Sequence, residues 1–331
     1  MRIGLYSNDV HEVLKLSKAN NISFINENGI TYISATERQD TKFKSRVIKK
    51  VHDYGEPGQT LINKDVLKLI PKYCDATITE GTITAGRRKI KYSTNDLVDK
   101  PIKVDNYLTT IPAGGLSHLL SCDYAMSETS KRPVLNGICI QNDEFTACDS
   151  CRVAVREGNF EAKEQAIISA DIVPILKKVK YTGEVEIYCN DYYVKFVFGD
   201  LEVIGNRRQG EYFNYKSVIP DKHTASVVLE TKPLLDILKD YKKNKFKLVK
   251  LDFKENELIL SANNQTAAVE DCLCISMKGK PLEIAFNLNY LIDALNNYET
   301  ATLELNSNIS PMVIKSDNKL DLVLPVRLTK K

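Results

Sequence analysis

The 331-residue sequence predicts an α+β protein built from three tandem copies of one unit, each with two helices packed on antiparallel sheets. Three observations carry this expectation. An apolar triplet with helical spacing recurs along the chain, the distance from each first triplet to a second is nearly constant, and a strand-like run precedes every triplet.

The first triplets are Val10/Val13/Leu14, Leu116/Leu119/Leu120 and Leu234/Ile237/Leu238. Positions n, n+3 and n+4 share one helical face, so each triplet predicts a helix with one buried side. The runs before them are 2–6, 108–111 and 227–229. The second triplets are Val66/Leu69/Ile70, Ile172/Ile175/Leu176 and Leu291/Ala294/Leu295, after runs at 59–62, 166–168 and 282–286. Val10 lies 56 residues before Val66, Leu116 lies 56 before Ile172, and Leu234 lies 57 before Leu291. Between and after the helices, segments such as 22–25, 30–33, 185–188, 193–197 and 258–260 alternate or are rich in β-branched residues. Asn28-Gly29, Gly199-Asp200 and Glu255-Asn256 separate them as hairpin turns do. Asp105-Asn106 and Pro220-Asp221 punctuate the chain, so the domains are expected at 1–106, 107–220 and 221–331.

Composition narrows the function classes. Hydrophobic residues make up 43% of the chain, enough for a core in each domain. No apolar run approaches the roughly 18 residues of a membrane span. The opening Met1-Arg2-Ile3-Gly4-Leu5-Tyr6 lacks the apolar core of a signal peptide, so a cytoplasmic protein without a membrane partner is expected. The eight cysteines are then reduced thiols, and the four histidines are not spaced to complete a metal site with them. No metal or cofactor is expected. The net charge of +3 permits a basic surface offset by acids elsewhere. No phosphate-binding glycine loop or Gly-x-Ser-x-Gly occurs, and no His sits beside a nucleophile, so the chain is not expected to be an enzyme. Cys148-x-x-Cys151 is the one candidate redox pair, and it makes a thiol oxidoreductase the remote alternative.

Several segments resemble the bacterial sliding clamp family, the beta subunit of DNA polymerase III. They are Arg132-Pro133-Val134-Leu135-Asn136-Gly137, the run 210–220 (GEYFNYKSVIP), 282–287 (LEIAFN), Ser310-Pro311-Met312-Val313-Ile314 and Leu324-Pro325-Val326-Arg327-Leu328. Glu56-Pro57-Gly58 and 86–90 (GRRKI) match more loosely. Two runs depart from the family pattern: Cys148-Asp149-Ser150-Cys151-Arg152 stands for Thr-Asp-Gly-His-Arg, and Tyr212-Phe213-Asn214-Tyr215 for Phe-Pro-Asp-Tyr.

The resemblance implies DNA-clamp domains in a homodimeric ring around duplex DNA. That ring would tether the replicative polymerase, the clamp loader and repair proteins through short linear motifs. Sliding needs phosphate attraction without base readout, which lysines and arginines on helices supply. Lys15, Lys18, Lys64, Lys68, Lys131, Arg132, Lys177, Lys178 and Lys242 are the expected DNA-facing residues. The implied peptide groove comprises Leu135, Cys148, Ser150, Arg152, Val153, Phe213, Val218, Phe246, Pro311, Val323, Leu324, Pro325, Val326, Arg327 and Leu328. Its apolar walls would seat Leu and Phe anchors. Ile90, Tyr92 and Tyr241 are the expected dimer-interface residues, with 90–92 alternating as an edge strand does. A clamp-like scaffold that does not close into a ring is the alternative.

Overall fold

The computed structural model describes residues 1–53, 55–93, 99, 101–127 and 132–327. The first third contains β1 (Arg2–Tyr6), α1 (Ser7–Leu16), β2 (Asn21–Glu27), β3 (Ile30–Gln39), β4 (Lys42–His52), β5 (Gly58–Asn63), α2 (Lys64–Leu67), β6 (Asp75–Thr79), β7 (Thr82–Ala85) and β8 (Arg88–Lys91). The middle third contains β9 (Asn106–Ile111), α3 (Gly115–Leu120), β10 (Gly137–Cys148), β11 (Arg152–Ser169), α4 (Val173–Leu176), β12 (Val185–Cys189), β13 (Tyr193–Phe198) and β14 (Leu201–Arg208). The last third contains β15 (Ala225–Glu230), α5 (Thr231–Lys243), β16 (Leu248–Phe253), β17 (Glu257–Asn263), β18 (Ala268–Cys274), β19 (Met277–Gly279), β20 (Leu282–Asn287), α6 (Leu288–Leu295), β21 (Thr300–Leu305), β22 (Met312–Ser316) and β23 (Lys319–Val323). In each third a strand leads into a helix, and a later strand leads into a second helix. Among the described residues no helix is long and apolar enough to cross a membrane.

The helices lie where the triplets predict, with two corrections: α4 begins one residue after Ile172, and α4 and α2 are each a single turn. Asn63 caps α2 through the Asp65 N–H, but α2 is a single turn ending at Leu67. Leu67 and Ile70 are buried, while Leu69 faces outward. Leu69 lies past the end of α2, where helical spacing no longer fixes the side it faces.

The chain forms two compact units, Met1–Leu120 with Asn159–Gln209, and Ser121–Gly158 with Gly210–Lys331. The first unit holds a four-stranded sheet, β1-β6-β7-β8, and a larger antiparallel sheet that runs β5-β2-β3-β4-β14-β13-β12-β9. Register fixes which helices share its face. Ser45, Val47 and Lys49 of β4 lie opposite Gly205, Val203 and Leu201 of β14. Cross-strand partners share one face, as do alternate residues along each strand. On that face Lys49 bridges to Glu12 of α1 at 2.8 Å. A Cβ on Gly205 would fall 2.0 Å from Ile172 Cγ2 at the start of α4, so only glycine lets that turn approach. Helices α1 and α4 therefore lie on the same side of one sheet.

In the second unit one sheet runs β19-β15-β21-β22-β23 and continues into the first residues of β11. A second sheet has the order β18-β17-β16-β20. Their apolar faces and helices α5 and α6 share one core, which includes Leu234, Leu238, Phe253, Phe286, Leu291, Leu295 and Ile314. Asn287 caps α6 by accepting from the N–H groups of Asn289 and Tyr290.

Candidate functional site

In the second unit, the turn from β10 into β11 is set by one carboxylate. Asp149 Oδ1 accepts the backbone N–H groups of Cys151 at 2.6 Å and Arg152 at 2.7 Å. Its Oδ2 accepts from both Nε and Nη2 of Arg152, at 3.1 and 2.9 Å, so the guanidinium fork closes on one oxygen. Arg152 Nη1 donates to Asp293 Oδ2 of α6 at 2.9 Å. The guanidinium also lies 4.3 Å from the Tyr290 ring centroid and 5.4 Å from that of Tyr124. Two carboxylates and two rings thus leave Arg152 little freedom. The end of the chain is tied to the same turn, because Leu324 N–H donates to the Cys151 carbonyl at 2.9 Å.

This turn forms one wall of a cavity of about 400 Å3. Leu135, Cys148, Ser150, Arg152, Val153, Phe213, Val218, Pro311 and Leu324, all expected from the sequence, line it. Arg132, Asp149, Cys151 and Leu322 complete the lining. Pro133 opens the 3-10 turn that presents Leu135, and a second 3-10 turn, Tyr215–Val218, presents Val218. Beneath the groove, Arg156 and Asp321 form a fully buried ion pair, with Nη1–Oδ1 at 2.9 Å and Nη2–Oδ2 at 3.1 Å.

An apolar groove of this kind can hold leucine or phenylalanine side chains of an extended peptide. Residues 216–327 match the model of the DNA polymerase III beta subunit, C-terminal domain. The Beta sliding clamp of Synechococcus elongatus is 26% identical over 297 residues, covering 80% of this chain and 79% of that protein. The last third thus matches the family model of the beta subunit, and four-fifths of the chain is similar to beta sliding clamps. A crystal structure of the DNA polymerase III subunit beta from Pseudomonas aeruginosa, 20% identical, superposes with a TM-score of 0.86 over 99% of this chain and 100% of that one. A DnaN sliding clamp from Bartonella birtlesii, bound to griselimycin and also 20% identical, superposes with a TM-score of 0.83.

Two groove residues carried over from the sliding clamp family are placed elsewhere. Val323 is fully buried in the core of the second unit, because alternation along β23 turns it away from the face that shows Leu322 and Leu324. Phe246 packs in the same core against Tyr241, with ring centroids 5.7 Å apart. Pro325, Val326 and Arg327 follow the lining without joining it, and Val326 N–H donates to the Ala285 carbonyl of β20. Leu328 and Lys131 lie outside the described residues.

The basic residues divide between the units. Lys15 on α1, Lys18 just after it, Lys68 beside α2, and Lys177 and Lys178 after α4 are exposed in the first unit. Lys64 is half-buried, its Nζ 3.5 Å from the Lys18 carbonyl, which joins the start of α2 to the end of α1. Lys68 bridges to Asp65 at 2.8 Å. In the second unit Lys242 is exposed in the last turn of α5, whereas Arg132 lies at the groove.

The expected interface side chains turn inward. Ile90, only 7% exposed, pairs with Ile83 inside its own sheet. Tyr92 donates its hydroxyl to the Thr79 carbonyl at 2.9 Å. Tyr241, 2% exposed, donates to Asp271 Oδ2 at 2.7 Å. The strands themselves still end their sheets: β8 is the edge of one and β18 the edge of another. The outward residues differ in sign, Arg88, Lys89 and Lys91 on β8 against Glu270 and Asp271 on β18. Strand β18 escaped the sequence reading, since its pattern Ala-Val-Glu-Asp-Cys-Leu-Cys shows no alternation.

Cys148 is buried, and burial pushes its thiol up to about 12. A redox nucleophile needs the opposite shift. Among the described residues no group of three His, Cys, Asp or Glu side chains is placed to hold a metal ion.

Proposed function

We propose that this chain is a DNA sliding clamp, a non-catalytic ring of two subunits and six clamp domains that encircles duplex DNA. It would hold the replicative polymerase and repair proteins on the template through short linear motifs. The observation that carries this reading is the groove: nine side chains implicated by resemblance line one apolar cavity whose key turn is fixed by Asp149 and Arg152. A groove that selects motif peptides suits a carrier.

The lysines on α1 and after α4 share one side of a sheet, as a surface facing phosphates requires. A basic edge strand and an acidic edge strand in one chain can meet head to tail, and closure after two subunits leaves neither edge open. Such a ring stays on DNA by topology, so its phosphate contacts can be weak. A loader ATPase would open it, and work on chromosomal DNA places it in the cytoplasm.

The test is fluorescence anisotropy with a labelled Gln-Leu-x-Leu-Phe peptide, alongside the molar mass in solution. Saturable binding that is lost on truncation after Val323, from a particle of two chains, is the expected result. A monomer that binds peptide would replace the ring with an open scaffold. No binding at all would overturn the carrier reading.

A further inference from the structure

The junction that carries the groove is built a second time, in the first unit, with different side chains. In the second unit β11 pairs with β23, and β22 lies on the other side of β23. In the first unit β4 pairs with β14, and β13 lies on the other side of β14. Val323 is paired with Met312 and Asn206 with Tyr193, so register sets Tyr192 in the place of Pro311 and Arg207 in the place of Leu324. In both junctions a basic side chain is tied to the next repeat's second helix. Arg152 bridges to Asp293 of α6 at 2.9 Å, and Lys44 to Asp171, two residues before α4, at 3.5 Å.

An arginine where the groove has a leucine does not wall an apolar pocket, and it suits an anion instead. What this junction presents is aromatic. Asn190 Oδ1 accepts the N–H groups of Tyr192 at 2.9 Å and Tyr193 at 2.8 Å, and Arg207 N–H donates to the Tyr192 carbonyl at 2.8 Å. These bonds fix the turn between β12 and β13, and Tyr192 stands out from it, 70% exposed. Tyr193 and Phe43 back it, with ring centroids 6.3 Å from Tyr192 to Tyr193 and 5.0 Å from Tyr193 to Phe43. Cations flank the rings. Lys42 is exposed, and among the described residues no carboxylate lies within ion-pair distance of it. Lys44 and Arg208, at 3.5 and 3.8 Å, share the one carboxylate of Asp171. Arg207 bridges to Glu164, and Asp40 and Asp191 are the exposed acids nearby in sequence. None of the three strands belongs to a sheet that β8 or β18 edges, so closing a ring through those edges leaves this surface open. A presented ring among cations suits a ligand with flat groups on an anionic backbone. Duplex DNA offers the backbone but hides its base faces, whereas a single strand offers both.

We propose that Tyr192, with Lys42, Lys44 and Arg207, forms a stacking platform for unpaired bases of single-stranded DNA. The platform depends on the clamp reading in one respect. Lys177 and Lys178, read there as facing the duplex, follow α4, and Lys44 and Arg208 reach Asp171 at the other end of that helix, so a strand leaving the duplex along α4 meets the platform. An acidic protein segment is the competing occupant, and the test separates the two.

Full-length protein is titrated at low salt against a fluorescein-labelled oligothymidylate and against a hairpin duplex. Tyr192→Ala is expected to weaken single-strand binding about tenfold or more while leaving the duplex unchanged, and Tyr192→Phe to bind like the unaltered chain. Lys42→Gln is expected to weaken single-strand binding and to lower its salt slope by about 0.7, one phosphate contact. Absence of single-strand binding overturns the platform, as does unchanged affinity in Tyr192→Ala or an equal loss on duplex. So does a labelled poly-glutamate peptide whose binding falls as far in Tyr192→Ala as that of oligothymidylate, which assigns the patch to a protein partner. Motif-peptide binding on the same samples keeps the two ideas apart. If the peptide binds and Tyr192→Ala has no effect on the single strand, only the platform fails. If peptide and duplex both fail to bind but Tyr192-dependent single-strand binding persists, only the clamp reading fails.

Discussion

Replacing Asp321 with asparagine tests how the groove is held. Asp321 and Arg156 are both fully buried, joined by two parallel hydrogen bonds, and Arg156 Nε donates to Ser121 Oγ at 2.8 Å. Burial pushes the Asp321 carboxyl up from its ordinary range, and the guanidinium beside it pulls it back down. Asp321→Asn keeps the shape but removes the charge, leaving a buried guanidinium without a counter-ion. Breaking one side of a buried pair costs about 3–5 kcal/mol. With a urea slope of roughly 2 kcal/mol per molar, the unfolding midpoint of the second unit should fall by about 1.5–2.5 M. Circular dichroism in a urea series reads this. Because Leu322 and Leu324 follow Asp321 directly, motif-peptide affinity should fall in the same variant under conditions where it is still folded. Arg156→Met with Asp321→Leu should recover most of the stability, since apolar replacement of both partners removes the desolvation cost. A single variant within about 0.3 M of the parent midpoint would refute the reasoning, because a pair that cheap to break is not electrostatically isolated.

Lys177→Glu with Lys178→Glu should lower duplex association and reduce the slope of log affinity against log salt by about 2, the loss of two phosphate contacts; an unchanged slope would move the DNA surface elsewhere. Gly205→Ala should destabilise the first unit by about 1–3 kcal/mol, read as a lower melting temperature, because its Cβ meets Ile172; an unchanged transition would mean that α4 shifts freely. Cys148 should resist iodoacetamide at pH 8 while the exposed Cys274 is alkylated. With its thiol at about 12, its labelling rate should rise about tenfold per pH unit below that value; equal labelling of both thiols at pH 8 would contradict the burial.

Much of the architecture was legible in the sequence because helical periodicity is local. The triplets at 116, 172, 234 and 291 place helices or their first turns, and burial of Leu116, Ile172, Leu234 and Leu291 follows. Leu69 was misread because nothing in its spacing announces that α2 stops after one turn. At the groove, family likeness supplied positions but not directions. It named Val323 and missed Leu322, although alternation with Leu324 would have chosen the other residue. Asp149 was also missed, yet an aspartate before Ser-Cys-Arg at a strand end is the signal for a side chain that caps its own turn. The edge strand β18 was hidden by its exposure: a strand at the edge of its sheet, with most side chains exposed, need not show the alternation that a core on one face imposes.

The end of β23 also bears on how such a protein changes over generations. Val323 answers to the core, while Leu322 and Leu324 answer to whatever enters the groove. The strand thus carries two interleaved messages, readable at alternate letters. Partners can drift, and the groove letters can be rewritten to follow them, without a change to the letters that keep the chain folded.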